Sequence, residues 1–474
     1  MENTIKVKIN NIIANKEILG ISVLAIASSL IAGQYVIYLC ILVLLITLSY
    51  LYGEKFLVSI VIISLFTLVG DFNKELRPFI QIVDFGILSF LFLKRFGFQF
   101  ELYPRVPKVL FYFILLYYCS MIISMVFSDY PFAGVGNILR QTVFFAIAYY
   151  FYSLIKDSSY IKTYVTALVI ATAILAISTI YLFIIDGYSL IELNLGLRSR
   201  VSGLIGNPNI LTNFYIISVP ILVLSLMFYR NAIKKSVVVS ILILFIVGLT
   251  LTISRTAILG VLLSTLFIFF LFRKKYFYWS MFCLVLMVLN ILIYEPFGSL
   301  TSLLFRLERG LAGREFIWDI SIGIIKDNPI FGIGVGVFKL EMFNYFPIML
   351  DSWVGRELVK LHEITATGTN LSHNLFLGFY TDMGIVGFST AIFFATIFFR
   401  TGIKTLIIYK SIDSKDYYLI LALFLGGATM FVRALFDSVG ILSYGVITSD
   451  LPFWLIFGSL LHYYKNHPHN FIKE

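Results

Sequence analysis

The chain is poor in charged residues and in cysteine. Only 13% of its 474 residues are charged and 59% are hydrophobic, whereas a soluble domain carries about 25% charged residues. The three cysteines, Cys40, Cys119 and Cys283, all fall inside apolar runs, so no disulfide framework is indicated. Regular alternation of apolar and polar residues is also missing, which argues against a membrane β-barrel. No small-residue cleavage site follows the first apolar run, and we expect that run to stay as an anchor.

Long apolar runs recur from one end of the chain to the other, and most have the length of a transmembrane helix. We therefore predict an all-α polytopic integral membrane protein with about fourteen (12–14) transmembrane helices. The predicted spans are 17–32, 34–52, 56–70, 79–93, 109–127, 137–155, 163–185, 208–229, 236–253, 256–272, 276–294, 372–399, 416–435 and 443–463.

The distribution of Lys and Arg predicts the orientation of these helices. With the N-terminus inside, the short inner connections and the tail hold 22 of the 36 Lys and Arg, so we expect both termini to be cytoplasmic. One inner connection is 400–415. The formal charge of +10 then reflects loops that face anionic lipid. It does not indicate a nucleic-acid partner.

The segment 295–371 is the only large loop, and we expect it on the outer side. Its richness in Phe, Trp, Ile and Gly is not typical of disorder. Phe316, Ile317, Ile320 and Ile324 recur at helical spacing, with charged residues elsewhere on the helix, which predicts a short amphipathic helix. Asn328-Pro329 should end it.

Arginines on the outer side need an explanation, because Lys and Arg are enriched in the inner connections of membrane proteins. Arg255, in "LTISRTAIL", lies between two apolar runs with only Ser254 and Thr256 as polar neighbours. A cation in such a place is costly unless it is paired or faces a cavity, so Arg255 is a candidate binding residue. The plainer interpretation is an anchor at a helix end.

A second cluster is "RSRVSGLIGNPNILTNF", which contains Arg198 and Arg200. Asn207 is a suitable N-cap and Pro208 suits the first turn, so a helix should begin here. The free amides and positive dipole end of that helix favour an anion. Plain capping beside two solvated arginines is the alternative. Arg314 opens the amphipathic helix and is the third candidate cation, unless it belongs to a solvated face.

The segment "SHNLFLGFYTDMGIVGF" places His373 at the edge of an apolar run, and Gly384 follows eleven residues later. At about 100° per residue, both would share one helix face, as at a helix end that lines a site or in an ordinary packed helix. Arginine binds phosphate oxygens through a planar fork, and histidine can take a proton from a hydroxyl near neutral pH. Together these residue types indicate transfer from a phosphate leaving group to an alcohol.

Four segments in this order, "NPN", "SRTA", "GREFIWDISIGIIKDNPIFGIGVGVF" and "SHNLFLGFYTDMGIVGF", make the region from about Arg198 to Gly387 resemble the O-antigen ligase and polymerase superfamily of bacterial envelope glycosyltransferases. The resemblance implies N-terminal transmembrane helices at 1–197, a ligase-like core at 198–399 that includes the outer loop, and C-terminal helices with a cytoplasmic tail at 400–474. It also implies a multi-pass protein of the bacterial cytoplasmic (inner) membrane with its active site on the outer side.

The resemblance further implies a metal-independent enzyme without a cofactor that uses undecaprenyl diphosphate-linked glycans. His373 would activate the acceptor hydroxyl, Arg200, Arg255 and Arg314 would hold the diphosphate, and Arg198 is the alternative to Arg200. Asn374, Gly384 and Asn207 would support the site. Glycan donor, lipid bilayer, a chain-length regulator and a flippase are the expected partners.

Several alternatives remain at this point. Chain length, helix number and the long outer segment favour a polymerase of O-antigen, capsular or related repeat units over a ligase that moves glycan to lipid A core, or an enzyme that links glycan to protein. His362 is a second candidate base, and His373 could be an interfacial histidine. A lipid-linked sugar transporter would use buried acids, for which Asp84 and Asp382 are candidates, although the chain shows no internal repeat. A non-catalytic scaffold is the last alternative.

Overall fold

The computed structural model describes residues 53–68, 77–189, 200–229, 231–294, 314–345, 372–412 and 416–466. In these ranges the chain is helical and has no strands. The α-helices are α1 Glu54–Thr67, α2 Arg77–Phe96, α3 Lys108–Val126, α4 Val135–Leu154, α5 Ser158–Ile185, α6 Pro208–Phe228, α7 Ala232–Leu251, α8 Arg255–Phe272, α9 Lys274–Tyr294, α10 Arg314–Asp327, α11 Phe338–Glu341, α12 Leu375–Ser411, α13 Tyr417–Ala434 and α14 Ile447–Lys465.

The all-α class is confirmed for the described residues. Each predicted span from 56–70 onwards corresponds to one of these helices, and the spans 17–32 and 34–52 lie outside the described residues. Among the described residues, seven helices are long and apolar enough to cross a membrane, namely α3, α5, α6, α7, α8, α12 and α13. The count of fourteen spans and the cytoplasmic location of the termini stay predictions.

Helix α6 lies at the centre of the bundle. Every residue from Leu211 to Leu224 is buried, and the helix packs against α5, α7, α8, α13 and α14. A helix that is apolar on all sides is suited to this position. Helices α3 and α5 instead leave two thirds of their apolar windows unburied within the chain, as expected for helices that face lipid.

Helix α12 differs from the prediction in two ways. It continues to Ser411, twelve residues beyond the predicted end at 399, so most of the predicted inner connection 400–415 is helical. It is also interrupted at Gly384, whose φ of 62° and ψ of −157° are not helical.

The glycine-rich segment that follows α10, residues 329–336, packs against the interruption in α12. The backbone amides of Ile333 and Gly334 donate to the carbonyls of Thr381 and Asp382, both at 3.0 Å. The amide of Ile385 donates to the carbonyl of Pro329, also at 3.0 Å. Backbone groups that the interruption frees from α12 are therefore satisfied by this segment, as buried backbone groups must be.

Helix α10 forms the predicted amphipathic helix. Phe316, Ile320 and Ile324 are buried, Ile317 packs beside them, and the helix ends at Asp327, directly before Asn328-Pro329. These side chains of α10 form a second, smaller hydrophobic core with Ile333, Val337, Phe338 and Met342. The described part of the long loop is thus a folded unit packed on α12.

The bundle has two ends with different charge arrangements. At one end of the bundle, α6, α8 and α12 begin and α13 ends; we call it the site end. At the other end, α5 and α13 begin; we call it the opposite end. At the opposite end Lys156 pairs with Glu54 at 2.7 Å and Lys162 pairs with Asp416 at 3.3 Å. The lysine side chains of both pairs are exposed.

Candidate functional site

A buried carboxylate, Asp437, lies at the centre of the site end, three residues after α13. Its Oδ2 atom is 3.1 Å from Nη2 of Arg433, and both side chains are only 1% exposed. The two residues are four positions apart, at the C-terminal end of α13 and just beyond it. A charge buried this deeply must be paired and hydrogen-bonded to be tolerated.

Arg433 connects this carboxylate to the central helix α6. Its guanidinium donates to the side-chain oxygen of Asn213 and, from Nη2, to the carbonyl of Asn209 at 2.6 Å. Asn213 in turn donates to the carbonyl of Ser449 at 3.2 Å. Arg433 is therefore largely used for holding α13, α6 and α14 together.

Two of the predicted arginines approach the same place. Nη2 of Arg314 is 3.9 Å from Oδ2 of Asp437, and the Arg314 side chain is 19% exposed. Arg200 donates from Nη2 to the side-chain oxygen of Asn209 at 3.0 Å. The ring of Trp318 lies near that of Phe436, with centroids 6.3 Å apart, which holds α10 over the end of α13.

Electrostatic interactions connect Arg200 with Asp437 and with the other three arginines of the site, Arg255, Arg314 and Arg433. Arg255 is the first residue of α8, as predicted, and interacts with Arg314 and Glu315. Burial lowers the pKa of Arg200, and so does repulsion by these arginines, whereas attraction to Asp437 raises it. Arg200 thus interacts with all three other arginines and with Asp437, and we call Arg200, Arg255, Arg314 and Arg433 the arginine group.

His373 also lies beside Asp437. Its Nδ1 atom is 3.7 Å from Oδ1 of Asp437, and its side chain is 27% exposed. The prediction that His373 and Gly384 share one helix face is wrong. His373 has a positive φ of 54° and precedes α12, and Gly384 is the point of interruption. A positive φ is uncommon for a residue other than glycine, so the local structure must hold His373 in place.

Asn374 supplies that restraint. Its side-chain oxygen caps α12 by accepting from the amides of Phe376 and Leu377 at 2.9 and 3.0 Å. Its side-chain nitrogen donates to the carbonyl of Leu435 at 2.9 Å. Because Leu435 lies two residues before Asp437, one side chain anchors both sides of the His373–Asp437 contact.

The carboxylate of Asp437 is kept ionised by its neighbours. Burial by itself raises the pKa of Asp437. The charge of Arg433 and the imidazole of His373 act against burial and lower this pKa to about 2. The negative charge next to His373 is therefore present at neutral pH.

The remaining predicted residues have structural contacts. Asn207 caps α6 as expected, accepting from the amides of Asn209 and Ile210 at 2.9 and 3.3 Å. Gly384 lies against the backbone of Ile330, where an added Cβ would be 2.1 Å from the carbonyl oxygen. Arg198 and His362 lie outside the described residues.

Asp382 is used in packing between segments. The hydroxyl of Tyr444 donates to its Oδ2 atom at 2.5 Å, and the amide of Gly336 donates to the same atom at 3.3 Å. These contacts join α12 to the glycine-rich segment and to the loop before α14. A carboxylate with two such donors serves as a structural link.

Sequence reasoning missed Asp437 and left Arg433 out of the site. The available signal was an arginine and an aspartate four residues apart at the end of an apolar helix, in "FVRALFD", since such a pair shares one helix face. Within the described ranges, no three His, Cys, Asp or Glu side chains are grouped so that they could hold a metal ion. Metal independence stays a prediction.

Residues 240–392 match the family model described as O-antigen ligase. The matched segment is therefore similar to the O-antigen ligase and polymerase superfamily. The matched segment covers about a third of the chain and includes Arg255, Arg314 and His373. Arg200 and Asn207 precede it, and Asp437 follows it. A search of the curated proteins finds no match.

The seven apolar helices found among the described residues indicate a multi-pass membrane protein. Three of the four predicted arginines, Arg200, Arg255 and Arg314, and the predicted histidine lie at the site end, although they are distributed over residues 200 to 373.

Proposed function

We propose that this protein is a polymerase that joins undecaprenyl diphosphate-linked repeat units of O-antigen, capsule or a related surface polysaccharide. It would act by inverting glycosyl transfer on the outer face of the cytoplasmic membrane. The observation that carries the proposal is the placement of His373 with Nδ1 3.7 Å from Oδ1 of Asp437, the same carboxylate that Arg314 and Arg433 approach.

The charge balance of the site supports a diphosphate leaving group. Four arginines, Arg200, Arg255, Arg314 and Arg433, outnumber the two carboxylates that interact with them, Asp437 and Glu315. Guanidinium groups bind phosphate oxygens through paired hydrogen bonds. Fixed cations at this position would stabilise the negative charge that develops on a departing diphosphate.

The proposed reaction is a single displacement. The nitrogen Nε2 of His373 takes the proton of an acceptor sugar hydroxyl while that oxygen bonds to the anomeric carbon of the donor. The bond from the anomeric carbon to the phosphate oxygen breaks, and its electron pair leaves with the lipid diphosphate. Asp437 stabilises the imidazolium that forms, and this imidazolium later releases its proton to water.

We favour a polymerase because the chain is long and has an extended outer segment with a folded unit of its own at 314–345. Transfer of a finished glycan to lipid A core is the second candidate, since the matching family is described as O-antigen ligase. The two activities share the donor chemistry and differ in the acceptor. Transport is less favoured because Asp382, its best candidate acid, is engaged by Tyr444 and Gly336.

A purified enzyme with a synthetic polyprenyl diphosphate-linked repeat unit tests the chemistry. We expect His373→Ala to lower turnover about 10²- to 10⁴-fold, the usual contribution of general acid–base catalysis. The matched control is His462→Ala, because His462 lies in the last turn of α14, at the opposite end of the bundle. If His373→Ala keeps most of the wild-type turnover, the proposed mechanism is wrong.

A deletion strain tests the acceptor. If the wild-type chain converts surface glycan of single repeat units into a ladder, and His373→Ala does not, the protein is a polymerase. Long glycan that accumulates on the carrier lipid in the deletion strain identifies a ligase. An unchanged glycan pattern would contradict both assignments.

A further inference from the structure

A large cavity lies at the opposite end of the bundle, away from the arginine group. It has a volume of about 880 Å³ and is lined by residues of α6, α7, α8 and α9. Its wall along α8 is mostly apolar and includes Ile258, Leu262 and Phe269. This volume is within the range of about 300–1,000 Å³ that is typical of ligand pockets.

Two cations line the same cavity. Lys235 is in the first turn of α7, and Arg273 connects α8 with α9. Trp279 and Tyr276 also line it and are more than half exposed. Tryptophan and tyrosine are enriched at the level of lipid headgroups, so the aromatic rings and the cations mark the depth at which a lipid phosphate would lie.

The dimensions of the cavity suit one leaflet of a bilayer. From Ile258 to Phe269 its wall follows α8 for about 17 Å, close to half of the roughly 30 Å hydrocarbon thickness. Arg255 is about 27 Å along α8 from Arg273. An anion at Lys235 and Arg273 is therefore distinct from one held by the arginine group.

We propose that this cavity binds an anionic glycerophospholipid. Its phosphate interacts with Lys235 and Arg273, and its acyl chains lie along α8. Basic pockets between transmembrane helices have the charge that anionic headgroups require, and this cavity adds an apolar compartment of matching depth. The inference is independent of the reaction proposed for the site end.

The first test measures lipid binding to the purified full chain by native mass spectrometry, with phosphatidylglycerol as the probe and phosphatidylcholine as the neutral comparison. We expect the pair Lys235→Gln and Arg273→Gln to weaken phosphatidylglycerol binding about tenfold or more, the effect of losing two lipid-facing cations. The matched control is the pair Lys234→Gln and Lys275→Gln. It removes the same charge from the same connections, but neither residue lines the cavity.

We expect the control pair to change binding less than about twofold, because a specific site depends on position more than on net charge. Equal weakening by both pairs would overturn the proposal, since it would mean that the surface charge attracts lipid without a site. Equal binding of phosphatidylglycerol and phosphatidylcholine to the wild-type chain would overturn it as well.

A second test needs no substitution, so it holds even if a variant fails to fold. Cys283 lines the cavity, whereas Cys119 on α3 does not, and both thiols are free and exposed. We expect phosphatidylglycerol to slow the labelling of Cys283 by N-ethylmaleimide relative to Cys119, as read by peptide mass spectrometry. An unchanged ratio would overturn the proposal. Equal protection of Cys283 by a neutral polyprenol would also overturn it, because the occupant would then be a prenyl chain.

Discussion

Both ends of this helical bundle contain ion pairs, but the pairs are buried to very different extents. At the opposite end, the Lys156–Glu54 pair leaves 43% of the lysine side chain and 24% of the glutamate side chain exposed. At the site end, the Arg433–Asp437 pair leaves 1% of each exposed. Exposed pairs contribute little to stability. A buried pair costs much to desolvate, and removing one partner leaves an uncompensated charge.

The difference suggests separate reasons for each arrangement. The lysines at the opposite end belong to connections that we predict to lie on the inner side, where Lys and Arg are enriched, and both pairs leave the lysine side chain exposed. At the site end, the buried carboxylate next to His373 has the chemical use that we propose for the site, and Arg433 is the cation that makes its burial tolerable. Substitutions at the two ends should therefore have very different effects.

The largest expected effect is that of Arg433→Met on stability. Methionine keeps a long unbranched side chain at this position, but it leaves Asp437 without its closest cation and Asn213 without its hydrogen-bond donor. We expect the free energy of unfolding to fall by about 3–5 kcal/mol, measured by thermal unfolding in detergent. A decrease below about 1 kcal/mol would show that the site-end pair behaves like the exposed pairs.

A comparable effect is expected from pH, through Asp437. Its folded pKa of about 2 lies below the usual value of about 3.9, so the ionised carboxylate stabilises the folded state. This contribution is fully present above about pH 4 and is lost as the pH falls towards 2. It amounts to about 2–3 kcal/mol, because each pKa unit corresponds to about 1.4 kcal/mol.

The measurement compares the unfolding temperatures of wild type and Asp437→Asn from pH 6 down to pH 3. We expect the difference between them to shrink as the pH falls, because only the wild type has, at position 437, a carboxylate that binds a proton at a higher pH in the unfolded chain than in the folded one. A difference that is constant over this range would contradict the role given to the Asp437 charge.

Gly384→Ala should have a smaller effect. The new Cβ would meet the carbonyl oxygen of Ile330 at 2.1 Å, in a backbone conformation with positive φ. A cost of about 1–3 kcal/mol is expected for such strain, and hydrogen exchange should increase in 328–336. The matched control is Gly86→Ala in α2, where a Cβ meets nothing within 4 Å and helix propensity favours alanine. Equal effects of the two substitutions would mean that the glycine-rich segment does not depend on Gly384.

The smallest effect is expected for Lys162→Gln, which removes the 3.3 Å pair with Asp416 at the opposite end. The unfolding temperature in detergent should change by an amount that corresponds to less than about 1 kcal/mol. A loss as large as that of Arg433→Met would remove the distinction between the two ends.

Local features of this chain could be read from its sequence. Asn207 caps α6 and Pro208 begins it, Phe316 and Ile320 form the buried stripe of α10, and Arg255 begins α8. All of these depend on interactions between residues within a few positions of one another. Hydropathy, capping and helical spacing are sufficient to predict them.

The failures of the sequence prediction concern contacts between distant segments. Gly384 was expected within a continuous helix, yet the glycine-rich segment some fifty residues earlier supplies hydrogen bonds that make an interruption tolerable. Asp437 was not predicted as a site residue, because an aspartate after an apolar helix normally faces water. Its burial depends on Arg433, Arg314 and His373, which reach it from three separate helix ends.

The sequence by itself determined the membrane class, the approximate positions of the described helices and the residue types of the candidate site, because these follow from local apolar periodicity and from the cost of charge in lipid. Only the tertiary structure decided that His373 lies beside Asp437 and that Arg433 holds this carboxylate to α6. The physical reason is that the packing of whole helices, and the pairing of charges buried between them, selects which helix ends meet.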